Sequence, residues 1–454
     1  MEDLSMMGRQ VVGAQLFYDF CIDDHVPADH ALRQLDAVLN FDHVRNALAS
    51  YYSHTGRPSI DPELMLRMLL IGYAYGIRSE RRLIEEVHLN LAYRWFCQLG
   101  LDGAVPDHST FSKNRYGRFR ESEVYRVLFE DVVRQCQAAG LIGGEGFAVD
   151  GSLIGADANR DRRVNSPAEL QTTSQPVRAY LAALDSGSEA VALREGEAKY
   201  LSATDPEAAW NTKEGYGRFG YFTNYLIDNR HAVIVDVEAT PARLSQEIVA
   251  AKAMLDRVEA KHGMTPSRLA ADKAYGTGPF VAWLMGRKVA AHIPIIDRQN
   301  QVEGILPREA FSYDPKSDSF TCPEGAILRK RGADYHNQAY SYRSRAEDCR
   351  LCAQKTACTR GEVRSLSRSF HEDAREEVRA LQNTEIFQQS RRERKKVEML
   401  FAHLKKHMRL QRLRLRGLAG AAEEFLLAAT VQNLRKLIRL RPPDLFPKGL
   451  QTAA

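Results

Sequence analysis

The sequence lacks any apolar run long enough to cross a membrane, and Met1-Glu2-Asp3-Leu4-Ser5 carries neither the basic start nor the apolar stretch of a secretory signal. Together these absences read as a cytoplasmic protein. Cysteine is scarce, seven in 454 residues, with three scattered and four close together. An odd, uneven set argues against a disulfide framework and leaves reduced thiols, with a metal cluster for the four as one alternative. The glycine runs at 143–146 and 276–278 are not followed by Lys-Ser or Lys-Thr, so no phosphate-cradling nucleotide loop is present and neither ATP nor a dinucleotide is expected. Internal repeats and low-complexity tracts are missing as well.

What is there is the balance of a folded protein, 44% hydrophobic and 27% charged, with length enough for two to four structural units. The formal net charge is only +5, but between Arg391 and Arg441 fifteen Lys or Arg face four Asp or Glu. A surface of that kind suits a polyanion, since each neutralised phosphate releases counterions. A solvated helix face is the plainer alternative.

Residues 30–135 read as helical, with apolar spacing of three and four around Leu64–Leu70 and Leu83–Val87 and starts at Asp61-Pro62, Ser79 and Asp107. Short helices ending in Lys113, Arg115 and Arg118 have the look of a helix-turn-helix. After Gly146 the pattern changes to strands: Phe147–Ile154, Tyr221–Ile227, His231–Val237, Arg268–Asp272 and Ala291–Ile296, with a long helix from about Ser245 to Lys261. This predicts a mixed α/β sheet behind an all-α N-terminal domain. The expected units are 1–140, a helical DNA-binding domain; 141–297, the first part of a catalytic core; 298–385, a polar, turn-rich insertion; and 386–454, the core's C-terminal helices.

Phosphodiester chemistry at neutral pH is served by two divalent cations roughly 4 Å apart, and such cations take carboxylates. Asp150 stands among Phe147, Val149, Leu153 and Ile154, where a charge is costly without a partner. Asp272 closes a second apolar strand, at the edge where open α/β sheets place their sites. Either alone also reads as a turn aspartate. On the helix after Asn383, a turn of about 100° per residue puts Arg394, Glu398 and Lys405 on one face, beside the stripe Val397, Leu400, Phe401 and Leu404. Glu398 is thereby expected at the edge of the core, although the same spacing permits plain intrahelical pairing. Asp157, Asp297 and Glu393 are set aside as ligands, the last projecting about 140° from Glu398.

These residues resemble the insertion-sequence DDE transposases, whose last motif is Y-(2)-R-(3)-E-(6)-K. Arg394, Glu398 and Lys405 fit its final three positions, while Arg391 stands at the tyrosine position. Phe147–Ser152 is similar to the family's first motif, Ala270–Gly276 to its second, and Arg67–Tyr73, Tyr93–Phe96, Pro106–Ser112 and Gly217–Tyr221 to further segments, closest to the insertion-sequence 1182 group. The resemblance implies a ribonuclease-H-like fold, a catalytic triad of Asp150, Asp272 and Glu398, and two Mg²⁺ or Mn²⁺ ions. It implies double-stranded DNA as partner, as terminal inverted repeats and target, and action as a homodimer or larger oligomer in the bacterial nucleoid. Arg394, Lys395, Lys405, Arg409, Lys113 and Arg115 are the expected DNA contacts. A catalytically silent DNA-binding relative and a nuclease without strand transfer are the rival readings. Cys322, Cys349, Cys352 and Cys358 supply four soft ligands, one Cys-x2-Cys pair among them, and leave structural zinc and free thiols open. His403 and His407, one turn apart, read as phosphate contacts or surface residues.

Overall fold

A computed structural model of the chain describes residues 20–52, 55, 59–171, 174–185, 200–212, 215–295 and 304–440. The N-terminal region is built of short helices whose starts follow from local side chains. In α1 (Pro62–Ala74), Asp61 accepts from the Glu63 N–H, and proline occupies the first turn, where its missing N–H costs nothing. Ser79 caps α2 (Glu80–Leu89), and α3 (Leu91–Phe96) follows directly. Asp107 takes the N–H groups of Ser109 and Thr110 to start α4 (His108–Asn114). The last of the set, α5 (Val124–Ala138), buries Tyr125, Leu128, Phe129, Val132 and Cys136, a stripe at helical spacing.

Beyond Gly144 the chain forms a six-stranded sheet of β1 (Gly146–Gly155), β2 (Ala209–Asn211), β3 (Arg218–Asp228), β4 (Ile234–Pro241), β5 (Arg268–Ala270) and β6 (Ala290–His292). β1 pairs antiparallel with β3 from Phe147 opposite Asp228 to Gly155 opposite Gly220. β4 and the short β2 lie on the outer side of β3, while β5 and β6 run parallel to β1 on its other side. With β2 set aside, the spatial order is third, second, first, fourth, fifth. Passing from the meander to a parallel strand needs a crossover, and α6 (Leu244–His262) supplies it. It ends at Gly263, whose φ of 63° an L side chain would resist.

Helices cover both faces of the sheet. On one, α7 (Gly278–Gly286) joins α6 over a core of Phe147, Val149, Leu226, Met254, Leu269 and Phe280. On the other lie α9 (Glu385–Lys406), against β1, and α10 (Gly417–Leu440), against α5, α1 and β4. Val397, Phe401, Leu404, Phe425 and Leu434 there share one core with Tyr225 and Phe129, each such side chain contributing about 1.5–3 kcal/mol on burial. Ion pairs tie α10 to the N-terminal helices: Glu424 pairs with Arg78 and accepts the Arg414 and Leu415 N–H groups, and Glu423 pairs with Arg120.

Residues 304–369 differ from the polar, turn-rich segment expected. They form an antiparallel sheet of β7 (Ser312–Asp314), β8 (Ser319–Thr321), β9 (Ile327–Asp334), β10 (Ala339–Arg343) and β11 (Ser365–Ser369), paired in chain order. Phe311, Phe320, Leu328, Tyr342 and Leu366 make its core. Four of these strands have three to five residues, and the eight-residue β9 buries only Leu328, so little periodicity is left to read. α8 (Glu372–Gln382) then returns to the main sheet, packing on α7 and β6. Among the described residues no helix is long and apolar enough to cross a membrane.

Candidate active site

Asp150 lies in the middle of β1, opposite Tyr225 of β3. Ala148 of β1 is in register with Ala270 of the parallel β5, and Asp150 and Asp272 each follow two residues later. The two aspartates therefore stand level on neighbouring chains whose spacing is roughly 5 Å. Asp272 also caps the turn that follows, accepting from the Ala274 N–H at 2.8 Å.

Glu398 is brought to them by α9. One turn before it, the Arg394 guanidinium donates to Asp150 Oδ2 at 2.8 Å and to Glu398 Oε1 at 3.1 Å. Asp150 and Arg394 are about four-fifths buried, whereas the Glu398 side chain is 54% exposed. Glu398 is thus on the open side of the site, not at the core's edge as the helical wheel suggested; it lies about 110° from the centre of its helix's apolar stripe. Burial pushes the Asp150 carboxyl above the ordinary carboxylate range. Arg394 and the Gly151 N–H pull it back, and the charges of Asp272 and Glu398 add to the push. Asp272 and Glu398 are thus each within electrostatic reach of Asp150.

Three side chains not singled out from the sequence lie nearby: Asn224 and Glu247 beside Gly151, whose side of β1 is opposite to that of Asp150, and Tyr275, which feels the charges of Asp150 and Asp272. Gly151 packs so closely that an added Cβ would sit 2.9 Å from Asn224 Oδ1 and 3.0 Å from Glu247 Oε1. Glu247, in the first turn of α6, is buried. The Tyr275 hydroxyl is buried without a hydrogen-bond partner among the described residues. Burial, with the charges of Glu247, Asp150 and Asp272, holds its ionisation far above the usual phenol range. A glycine inside a strand next to Asp150 is the one sequence signal that a close approach was needed.

The expected DNA contacts divide. Lys113, Lys395 and Arg409 are exposed, and Lys405 is partly buried on the Glu398 face of α9. Arg394 is engaged with the two carboxylates. Arg115 is a correction: it is 5% exposed, 2.8 Å from Glu80 and 3.7 Å from Glu423, so it faces α10 and not solvent. Of the acids set aside, Asp157 is held by Arg412 and Arg416, Glu393 accepts from Gln389, and Asp297 lies outside the described residues.

Cys322, Cys349, Cys352 and Cys358 line one cavity of about 370 Å³ in the second sheet. The Cys322 sulfur accepts the Ala326 N–H at 3.2 Å, and Cys349 lies 3.0 Å from the Ser344 hydroxyl. Burial pushes the Cys358 thiol up, and the other three add to it. Among the described residues, no group of three or more His, Cys, Asp or Glu is arranged to hold a metal ion. The donor types nonetheless suit two different metals: carboxylate oxygens a hard divalent cation, thiols zinc. Between Asp150 and Glu398 the positive charge is supplied by Arg394.

Residues 321–438 match the family described as a transposase DDE domain, and residues 20–116 match the transposase domain family DUF772. The first of these spans contains Glu398 and the four clustered cysteines; Asp150 and Asp272 fall between the two matches. Among solved structures, the chain is similar to a piggyBac transposase from a synaptic complex with hairpin DNA. The identity is 9%, over 92% of this chain and 81% of that one, with a TM-score of 0.34. No curated protein matches the chain. The chain thus carries a transposase domain of the DUF772 kind at residues 20–116, followed by a transposase DDE domain at residues 321–438.

Proposed function

We propose that this transposase cuts DNA at the terminal inverted repeats of its element and joins the freed 3′ ends to target DNA, with Asp150, Asp272 and Glu398 holding two Mg²⁺ or Mn²⁺ ions. The observation that carries this reading is Arg394, which donates to Asp150 and Glu398 at once. A cation bridging a strand carboxylate and a helix carboxylate marks where negative charge converges, and that convergence is what a hard metal requires. The strand order third, second, first, fourth, fifth, with three antiparallel strands and two parallel ones, supports a ribonuclease-H-like core.

Asp150 on β1 and Asp272, two residues past the end of the neighbouring β5, would share one cation, and Glu398 would complete the second site from the helix. Bound there, the pair supplies activation of a water or 3′-hydroxyl and stabilisation of the leaving oxygen. Arg394 and Lys405 flank Glu398 along one helix face and would hold the phosphates on either side of the scissile bond. Lys395, Arg409 and Lys113 extend the basic surface, and the N-terminal helices would seat the element end. The Cys322 turn, whose sulfur accepts a backbone N–H, supports a structural zinc in the second sheet.

The test is incubation of the protein and Mg²⁺ with a duplex bearing the inverted repeat that flanks the coding region, together with a target plasmid. Strand cleavage followed by joined product is expected. Cleavage without joining would reduce the protein to a nuclease, and binding without cleavage would overturn the proposal.

A further inference from the structure

A second basic hollow lies on the side of α9 turned away from the carboxylates. At about 100° per residue, Lys396, Met399, Leu400 and His403 share one side of the helix, and Arg394, Glu398 and Lys405 the opposite one. With Arg230 and His231 of the β3–β4 turn and Arg435, Lys436 and Arg439 of α10, the first set lines a cavity of about 600 Å³. Five cations surround it, and neither Asp nor Glu is among its described lining residues.

The bonds that fix these side chains do not neutralise them. Lys396 donates to the Asn229 carbonyl at 2.5 Å, Lys436 to the His231 carbonyl at 2.7 Å, and Arg435 to the carbonyl of Ala74. Carbonyls hold an ammonium in place but leave its charge. Burial lowers the Lys436 ammonium below its ordinary value, and the charges of Arg439 and Lys396 lower it further. Burial, Arg435, His407 and Lys436 press His403 down to about 4, so it is neutral at pH 7. A half-buried site that disfavours its own positive charges gains from a bound anion.

The shape narrows the anion. Arg435 and Arg439 lie one turn apart, about 6 Å of helical rise, with Lys396 on the facing helix and Arg230 at the mouth. Charges spread along two helices match a row of phosphates better than one compact ion. Met399, 71% exposed at the rim, offers apolar surface to a sugar or base edge. We propose that the groove between α9, α10 and the β3–β4 turn binds the phosphodiester backbone of a DNA segment separate from the strand at Asp150, Asp272 and Glu398. The inference rests on the transposase reading and adds a second track for DNA on the same helix.

Arg230 and Arg439 are both exposed, so R230Q/R439Q tests the groove with little risk to the fold. Binding of the full chain to a random-sequence duplex and to an end-bearing duplex is followed by fluorescence anisotropy across a salt series. The slope of log affinity against log salt should fall by about two, at roughly 0.9 per phosphate contact, with affinity at least about tenfold weaker at low salt. K316Q/R360Q, which removes the same charge from the second sheet, should keep the wild-type slope. A loss on both duplexes assigns the groove to DNA of any sequence, and a loss on the end-bearing duplex alone assigns it to the element end. Wild-type slopes on both duplexes overturn the groove while leaving the transposase reading intact; failure of the wild-type chain to bind either duplex would sink that reading itself. Should thermal melting show the double variant unfolded, R439Q alone should lower the slope by about one, and an unchanged slope there is equally contrary.

Discussion

A carboxylate four-fifths buried in a strand is costly without a partner, and in this fold Arg394 faces Asp150. The same guanidinium would compete with a metal for Asp150 and Glu398. R394Q is accordingly expected to bind Mn²⁺ several-fold more tightly at pH 8, measured by the loss of free-ion electron paramagnetic resonance signal, while cleavage falls by about 10–100-fold. Arg394 lowers the Asp150 carboxyl, so removing it should also move the acid limb of Mn²⁺ binding to higher pH. Unchanged affinity would deny the competition. Asp205 gives a separate pH effect: burial raises its carboxyl to about 7 despite bonds from Tyr221 and the Gly417 N–H. Because its folded-state value lies above its ordinary one, the stability it contributes is whole below the usual carboxylate range and is lost as pH rises through about 7. In urea unfolding, the margin of wild type over D205N should be larger at pH 5 than at pH 7 and should be gone by pH 8.5. The sequence offers Asp150, Asp272 and Glu398 as candidates, each an acid against an apolar run. It could not show that Arg115 is covered, because spacing names a helix face but not what lies over it. Glu247 was hidden for the same reason.

Among the elements, the strands of the main sheet were legible where apolar residues ran on without a break, as in Phe147–Ile154 and Tyr221–Ile227, and α6 and α9 where helical spacing was sustained. The second sheet was not, since its core of Phe311, Phe320, Leu328 and Tyr342 takes one residue from a loop and one from each of three strands, too few to show a period. At Gly151 the strand lies close against the first turn of α6. G151A should destabilise the protein by about 1–3 kcal/mol, because the methyl must displace Asn224 or Glu247. It should also reduce cleavage more than Gly→Ala changes at surface glycines such as Gly332. Helix α10 is fixed through Glu424, which is fully buried and serves Arg78 and two backbone N–H groups. E424A should cost about 3–5 kcal/mol in denaturant unfolding, since it leaves the Arg78 charge buried and unpaired; a loss below about 1 kcal/mol would show that the pair is not maintained in solution.

Over the whole molecule, α10 joins the N-terminal helices to the sheet, so the region expected to seat DNA and the region bearing the acids share one core. The cysteine-bearing sheet has its own small core, and the zinc proposed there should appear as about one ion per chain by elemental analysis and vanish in C349S/C352S with a lowered melting temperature. Asp150 from a strand, Asp272 from the turn after one and Glu398 from a helix are proposed to meet around the same cations. The most direct measurement replaces Mg²⁺ with Fe²⁺ in the presence of ascorbate and peroxide and maps where hydroxyl radicals cut the polypeptide. Cuts clustered beside residues 150, 272 and 398, all suppressed by excess Mg²⁺ and by D150N, are the predicted result; cuts that leave any one of the three untouched would contradict it.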